Sequence, residues 1–147
     1  MKYSTHLIRL LFFLVVILPG QTYTFERNDL SDQYIDGWVV GGPFIPASLD
    51  MDFFGISVEG GEKSVATTGN LSPGSQVSSP DGSTVIFKEY STKGNIVDFV
   101  DAVGSDQNAT AYAFCAVNAS DQEKIELGVG IDGSAAIWVN GIQVYRS

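Results

Sequence analysis

The chain of 147 residues is acidic, with 17 Asp and Glu residues against 8 Lys and Arg residues and a formal net charge of −9 at pH 7. A field of this sign opposes binding to nucleic acid and to anionic lipid. The single cysteine, Cys115, excludes an internal disulfide, and the single histidine, His6, precedes the domain proper. Mechanisms that need a Ser-His-Asp or Cys-His arrangement are therefore excluded beyond the amino terminus. We expect Cys115 to be a buried, inert thiol.

The amino terminus carries an uninterrupted apolar run at residues 10–18, with Lys2 and Arg9 before it and a polar stretch after it. This order of parts is typical of a secretory signal peptide. The run is too short to cross a bilayer core, which takes about 20 apolar residues. We predict a signal-peptide helix within residues 1–22, cleaved near residues 20–24; an uncleaved anchor is the alternative. The protein is then secreted, periplasmic or on the cell surface.

Residues 23–147 are predicted to form one domain. They carry 6 basic and 17 acidic residues, a formal charge of −11, and are long enough for a single modest core. We expect no stable membrane insertion after cleavage and no nucleic-acid partner.

Short β-branched and aromatic runs, separated by Gly, Pro, Asn, Asp and Ser, dominate this domain. No stretch after residue 25 keeps the apolar spacing of a three-turn core helix. We predict strands near residues 36–41, 84–90, 96–100, 110–117, 123–130, 134–139 and 142–146. Residues 69–82 are predicted to be a long surface loop. The fold class is all-β, an antiparallel β-sandwich or jelly roll.

The sequence Asn140-Gly141 between Val139 and Ile142 predicts a two-residue hairpin, because both central positions of a type I′ turn need positive φ. The turn pairs Val139 with Ile142 and Ile137 with Val144. An odd loop of three or five residues around Asp132-Gly133 then collects seven residues on one apolar face: Ile125, Leu127, Val129, Ile137, Val139, Ile142 and Val144. The opposite face carries Trp138, Gln143 and Tyr145, together with Glu126, Gly128 and Gly130.

Trp138, Gln143 and Tyr145 are the candidate ligand-binding residues. A flat aromatic face packs against the C–H face of a sugar ring, while neighbouring amides bind its hydroxyls. Packing of Trp138 against neighbouring structure is the alternative and the commoner arrangement. For Trp38, which lies in an apolar run, we expect a place in the core.

Asp50, Asp52 and Asp132 are the candidate ligands of a structural Ca²⁺, which takes six to eight oxygen ligands. Turn formation is the alternative role for Asp132, because Asp before Gly favours a bend without any metal. We expect no other cofactor and no enzyme activity.

Four segments together resemble the galactose-binding-like β-sandwich modules of large secreted bacterial proteins. Gly37–Phe44 resembles their W-x-x-x-G-P-F opening, and residues 49–55 resemble the D-x-D-Y-L-G segment that follows it. Residues 110–114 match their A-Y-A strand, and residues 130–141 resemble their G-S-D-D-G-x-x-V-W-L-N-G hairpin. The resemblance implies a non-catalytic accessory module for carbohydrate recognition, joined to further domains of the same protein. The alternative is a structural spacer or oligomerisation domain before an enzymatic or sensor domain.

Two departures from the pattern matter. Ile131-Asp132 stands where the pattern has Asp-Asp, which removes one carboxylate from the loop proposed for calcium. The pattern also continues into a closing strand beyond residue 147, so we expect an incomplete sandwich whose C-terminal strands are missing. Completion of the sheet by a partner strand is the alternative.

Overall fold

The computed structural model describes residues 35–92, 96–104, 108–116, 128–131 and 133–147, and the backbone of residues 9–15. The predicted strand at 123–130, except for its last three residues, and Asp132 lie outside the described residues. Within them the chain forms β1 (Arg9–Val15), β2 (Gly37–Phe44), β3 (Gln76–Ser78), β4 (Thr84–Ile86), β5 (Lys88–Ser91), β6 (Thr110–Ala116), β7 (Ala135–Val139) and β8 (Ile142–Arg146). Two helices, α1 (Gly61–Thr68) and α2 (Phe99–Val103), and a 3₁₀ turn at Phe54–Ile56 complete the described elements.

Six strands form one sheet in the order β5-β2-β6-β1-β7-β8, and β3 and β4 form a separate hairpin. The β-rich class with few helical residues agrees with the prediction. The pairs β2–β5, β2–β6 and β7–β8 are antiparallel as predicted, whereas β1 runs parallel to both of its neighbours, β6 and β7.

The helix predicted for the amino-terminal apolar run is wrong over Arg9–Val15, which form a strand at the centre of the sheet. Strands at the centre of a sheet often read as continuous apolar runs, and a short run of this kind does not distinguish strand from helix. Leu, Phe and Val suit both structures. The assignment as a signal peptide stays a prediction.

Both faces of the sheet are covered, and β6 shows how. Its residues are buried on the two faces in turn. Tyr112 and Phe114 belong to a cluster on one face, and Ala111 and Ala113 belong to a cluster on the other. We call these the aromatic face and the alanine face. The aromatic face packs against α1, the 3₁₀ turn and the β3–β4 hairpin; its buried rings are Phe44, Phe53, Phe54, Phe87, Tyr112 and Phe114. The alanine face packs against α2 through Phe99 and Ala102.

Three predicted segments differ from the structure. The strand predicted at 96–100 is wrong: Phe99–Val103 form α2, whose first turn is capped by the Asp98 side chain accepting from the Asp101 amide, and whose end is set by left-handed Gly104. Phe99 and Ala102, three residues apart, bury one side of this single turn. The loop predicted at 69–82 contains β3, and the strand predicted at 84–90 is interrupted at buried Phe87.

The β7–β8 hairpin confirms the predicted turn. Asn140 and Gly141 have φ of 50° and 77°, and Val139 pairs with Ile142. The predicted pairing of Ile137 with Val144 is wrong, because a register shift between Ile137 and Trp138 places Ile137 opposite Tyr145. An extra residue in one strand shifts all later pairs.

Candidate functional site

Charged side chains gather at the end of the sheet where β2 ends, β6 begins and β8 ends. This group, which we call the carboxylate cluster, contains four charged residues and the phenol that binds one of them: Asp50, Asp52, Glu62, Arg146 and Tyr112. The loop after β2 is held there by two hydrogen bonds between Ser48 and Thr110: the Ser48 amide donates to Thr110 Oγ1 (3.1 Å), and that hydroxyl donates to the Ser48 carbonyl (3.3 Å). The cluster therefore rests on the first residue of β6.

Asp52 connects the 3₁₀ turn to the start of α1. Its Oδ1 accepts from the amides of Phe54 (3.0 Å) and Gly55 (2.9 Å), and the Glu62 amide lies 3.0 Å from both carboxylate oxygens. These donors include a first-turn amide of α1, which has no partner inside the helix. A carboxylate there also interacts favourably with the positive end of the helix dipole. The role of Asp52 is thus to cap a helix that begins nine residues later.

Gly61 makes this contact sterically feasible. Its φ is +57°, and a Cβ at this position would lie 1.8 Å from Asp52 Oδ2. Only glycine combines the left-handed backbone with so close an approach by a neighbouring carboxylate.

Glu62 is the acid of the cluster whose pKa the fold perturbs. The Tyr112 hydroxyl donates to Glu62 Oε1 at 2.6 Å, which connects α1 to the centre of the sheet. The pKa of the Glu62 carboxyl is raised to about 7, chiefly by burial and also by the nearby charge of Asp52, while the hydrogen bond from Tyr112 and the charge of Arg146 act in the opposite direction. Burial, followed by the proximity of Glu62, also raises the pKa of Tyr112 well above its ordinary value. Glu62 therefore changes its charge near neutral pH.

Asp50 is exposed and forms an ion pair with Arg146 at the end of β8. Of the three acids predicted to bind calcium, the structure thus brings Asp50 and Asp52 into one cluster, and Asp132 lies outside the described residues. The two carboxylates are engaged with a guanidinium group and with backbone amides, respectively. In the parts of the chain that the structure describes, no group of three or more His, Cys, Asp or Glu side chains is placed to hold a metal. The calcium site stays a prediction.

The predicted ligand-binding residues all lie on the β7–β8 hairpin. Gln143 is paired with Trp138, as the prediction requires, but Tyr145 is paired with Ile137 and so stands at the neighbouring register position. Because adjacent residues of β7 point to opposite faces, the register separates Tyr145 from the other two residues. Trp138 is half-buried and packs against the aromatic-face cluster, while Gln143 and Tyr145 are exposed. The packing alternative for Trp138 is thus what the structure shows for part of its surface.

Two further predictions concern buried side chains. Cys115 is 2% exposed, as expected, and burial raises the pKa of its thiol well above the ordinary value. Trp38 is half-buried against the alanine-face cluster, and its Nε1 donates to the Ile35 carbonyl at 3.0 Å. It lies at the margin of the core rather than inside it.

Sequence reasoning missed Glu62, Tyr112 and Arg146 as members of one cluster. Glu62 lies in a stretch for which no helix was predicted, and Tyr112 was interpreted only as part of a strand. A Gly-Gly pair followed by an acidic residue is the local signal that could have marked the start of α1.

No helix in the described ranges is both long and apolar enough to cross a membrane. Comparison of the chain with protein-family models, with curated proteins and with solved structures finds no match in any of the three.

Proposed function

We propose that the chain is a non-catalytic recognition module of an exported protein, built as a galactose-binding-like sandwich, and that it binds carbohydrate on the β7–β8 hairpin. The observation that carries the proposal is the pairing of Trp138 with Gln143 on the strand next to the edge of the sheet. The four segments that resemble galactose-binding-like modules support the same function.

The Trp138–Gln143 pair has the chemistry that a neutral sugar needs. An indole offers a flat apolar surface to the C–H groups of a pyranose ring, and an adjacent amide both donates to and accepts from hydroxyl groups. Trp138 is incompletely buried, and Gln143, its cross-strand partner, is exposed. The net negative charge favours a neutral or cationic ligand over an anionic one.

The bonding of the carboxylate cluster supports a structural rather than a catalytic role for its acids. Asp52 accepts from three backbone amides, Asp50 pairs with Arg146, and Glu62 accepts from a buried phenol. Each acid is thereby tied to a part of the fold. A hydrolytic pair would instead need one acid and one base that face a common substrate.

A glycan array probed with the secreted chain tests the proposal. We expect binding to neutral glycans, a loss of roughly tenfold or more in affinity for Gln143→Ala, and a larger loss for Trp138→Ala. Gln143 is exposed, so its replacement leaves the fold intact and keeps the test valid where Trp138→Ala unfolds the domain. Tyr145→Ala, at the neighbouring register position, is the matched control and should bind as wild type does.

Absence of binding by the folded wild-type chain, or equal binding by Gln143→Ala and wild type, would contradict carbohydrate recognition at this hairpin. The second candidate, a structural spacer or oligomerisation domain, is favoured by exposed apolar side chains on β8. Ile142 is 67% exposed and Val144 57% exposed, on the outermost strand of the described sheet. This candidate predicts no ligand and a loss of folding, rather than of affinity, in Trp138→Ala.

A further inference from the structure

The sheet contains one position, between β6 and β7, whose occupant is β1. β6 and β7 do not pair with each other; each pairs with β1, over seven and five residues respectively. We call this position the strand slot. If residues 1–22 are removed as a signal peptide, the strand slot loses its occupant and the sheet divides into β5-β2-β6 and β7-β8.

The direction of the neighbouring strands restricts what else can fill the strand slot. β6 and β7 both run parallel to β1, so they run parallel to each other. The chain leaves β6 at Ala116, at one end of the sheet, and must therefore return to the other end before it enters β7 at Ala135. Residues 117–134, 18 in number, make this connection. At about 3.3 Å per residue, a return strand of seven residues leaves enough chain for a turn at each end.

The connection contains a segment whose pattern fits the strand slot. Residues 123–130 are predicted to form a strand, with apolar side chains at the alternate positions Ile125, Leu127 and Val129. A five-residue loop at 130–134 has the odd length that the apolar pattern requires. It places Val129 opposite Ala135 and Leu127 opposite Ile137, in an antiparallel ladder.

The same register positions are now held by β1. Leu10 stands opposite Ala111 and Ala135, and Phe12 opposite Ala113 and Ile137. The register therefore sets apolar positions of β1 opposite alanines of β6. Val129 and Leu127 would take these register positions in place of Leu10 and Phe12, so both segments offer apolar residues opposite the same alanines.

The strand slot is already the place of Arg9–Val15 in the precursor. We propose that it is the docking site for one other segment of this chain, residues 124–129, which enters antiparallel to both neighbours after the signal segment is removed. Arg9–Val15 prevails while it is present because it is apolar at almost every position. Residues 124–129 are apolar only at alternate positions, and Lys124 and Glu126 would have to be accommodated against the aromatic face, which is costly. Removal of the first segment is what admits the second, and the sheet changes from mixed to antiparallel.

Hydrogen exchange of two forms of the chain tests this proposal. The first form is the precursor, produced without export, and the second is the secreted chain with its amino terminus determined. In the secreted chain we expect the amides of residues 125–129 to exchange at least roughly a hundredfold more slowly than in the precursor. Equal exchange of these amides in both forms, no protected amides in the secreted form, or a secreted chain that still begins before Arg9 would overturn the proposal.

A pair of variants gives a second, independent readout. Leu127→Asp should lower the melting temperature of the secreted chain by roughly 10 °C or abolish its cooperative transition, and leave that of the precursor unchanged. Glu126→Asp is the matched control at the next position and should alter neither form appreciably. An equal effect of Leu127→Asp on both forms, or none on the secreted form, would contradict the exchange of segments.

Discussion

Replacing Glu62 by Gln should remove a pH-dependent loss of stability. Gln has nearly the same shape, and its carbonyl can still accept the hydrogen bond from Tyr112, but it has no charge to bury. The raised pKa of Glu62, about 7 against an ordinary 4.5, means that the folded chain holds a proton that the unfolded chain has released between these values. The stability that the neutral carboxyl provides is therefore complete below pH 4.5 and is lost as pH rises toward 7.

The size of the effect follows from this difference in pKa. At about 1.4 kcal/mol per pKa unit, the wild-type chain loses at most about 3 kcal/mol between pH 4.5 and 7 through Glu62. The carboxyl is only partly buried, so solvent reduces this toward about 2 kcal/mol. Glu62→Gln should exceed wild type by less than about 1 kcal/mol near pH 5, where only the first part of this stability is lost, and by about 2 to 3 kcal/mol at pH 8.

Urea unfolding at pH 5 and pH 8, followed by tryptophan fluorescence, measures the difference. We expect the midpoint of Glu62→Gln to lie above that of wild type by about 1 M urea at pH 8 and by roughly a quarter of that difference at pH 5. Glu89→Gln, which neutralises an exposed carboxylate on β5, is the control for the general change in net charge. The reasoning is refuted if Glu62→Gln and Glu89→Gln change the pH dependence equally.

Two further predictions concern the start of α1. Gly61→Ala should lower the free energy of unfolding by about 3 kcal/mol, because its Cβ would meet the Asp52 carboxylate. Gly74→Ala is the control: Gly74 has a positive φ but open space around it, so the substitution should lower the free energy of unfolding by only about 1 kcal/mol. Equal losses of the two variants in urea unfolding would contradict the steric explanation. Asp52→Asn should cost about 1 to 2 kcal/mol, because the amide retains only one acceptor oxygen and no charge, and a stability unchanged from wild type would show that the cap contributes little.

Local chemistry predicted the β7–β8 turn well, because Asn140 and Gly141 restrict the backbone themselves. The register beyond the turn could not be predicted in the same way. It depends on whether β8 has an extra residue between the partner of Trp138 and the partner of Ile137. The sequence of an isolated hairpin does not specify such an irregularity. The assignment of Tyr145 to the Trp138 side of the sheet failed for this reason.

The two helices escaped the apolar-spacing criterion because they are short. α2 has one turn and α1 about two, too little chain to establish a period. Their ends nevertheless carry readable signals: Asp98 three residues before Asp101, and glycines at Gly69 and Gly104 with left-handed backbones. Capping residues were more informative here than hydrophobic periodicity.

The carboxylate cluster was only partly predictable. Asp50 and Asp52 were predicted, with Asp132, as calcium ligands; the structure places these two in the cluster, and the metal site stays a prediction. The bond between Glu62 and Tyr112 joins residues 50 positions apart, and it exists because β6 passes beneath α1. Contacts of that sequence separation follow from topology, which a single sequence does not determine.

The burial of Cys115 has a consequence for how the chain behaves in an oxidising compartment. A single thiol has no partner within its own chain, so any disulfide that it forms must join two molecules. Once β6 is in the sheet, the thiol is shielded and its raised pKa keeps it from ionising. Only a chain that has not yet folded exposes the sulfur. Folding therefore competes directly with oxidation, and variants that fold slowly should accumulate as disulfide-linked dimers.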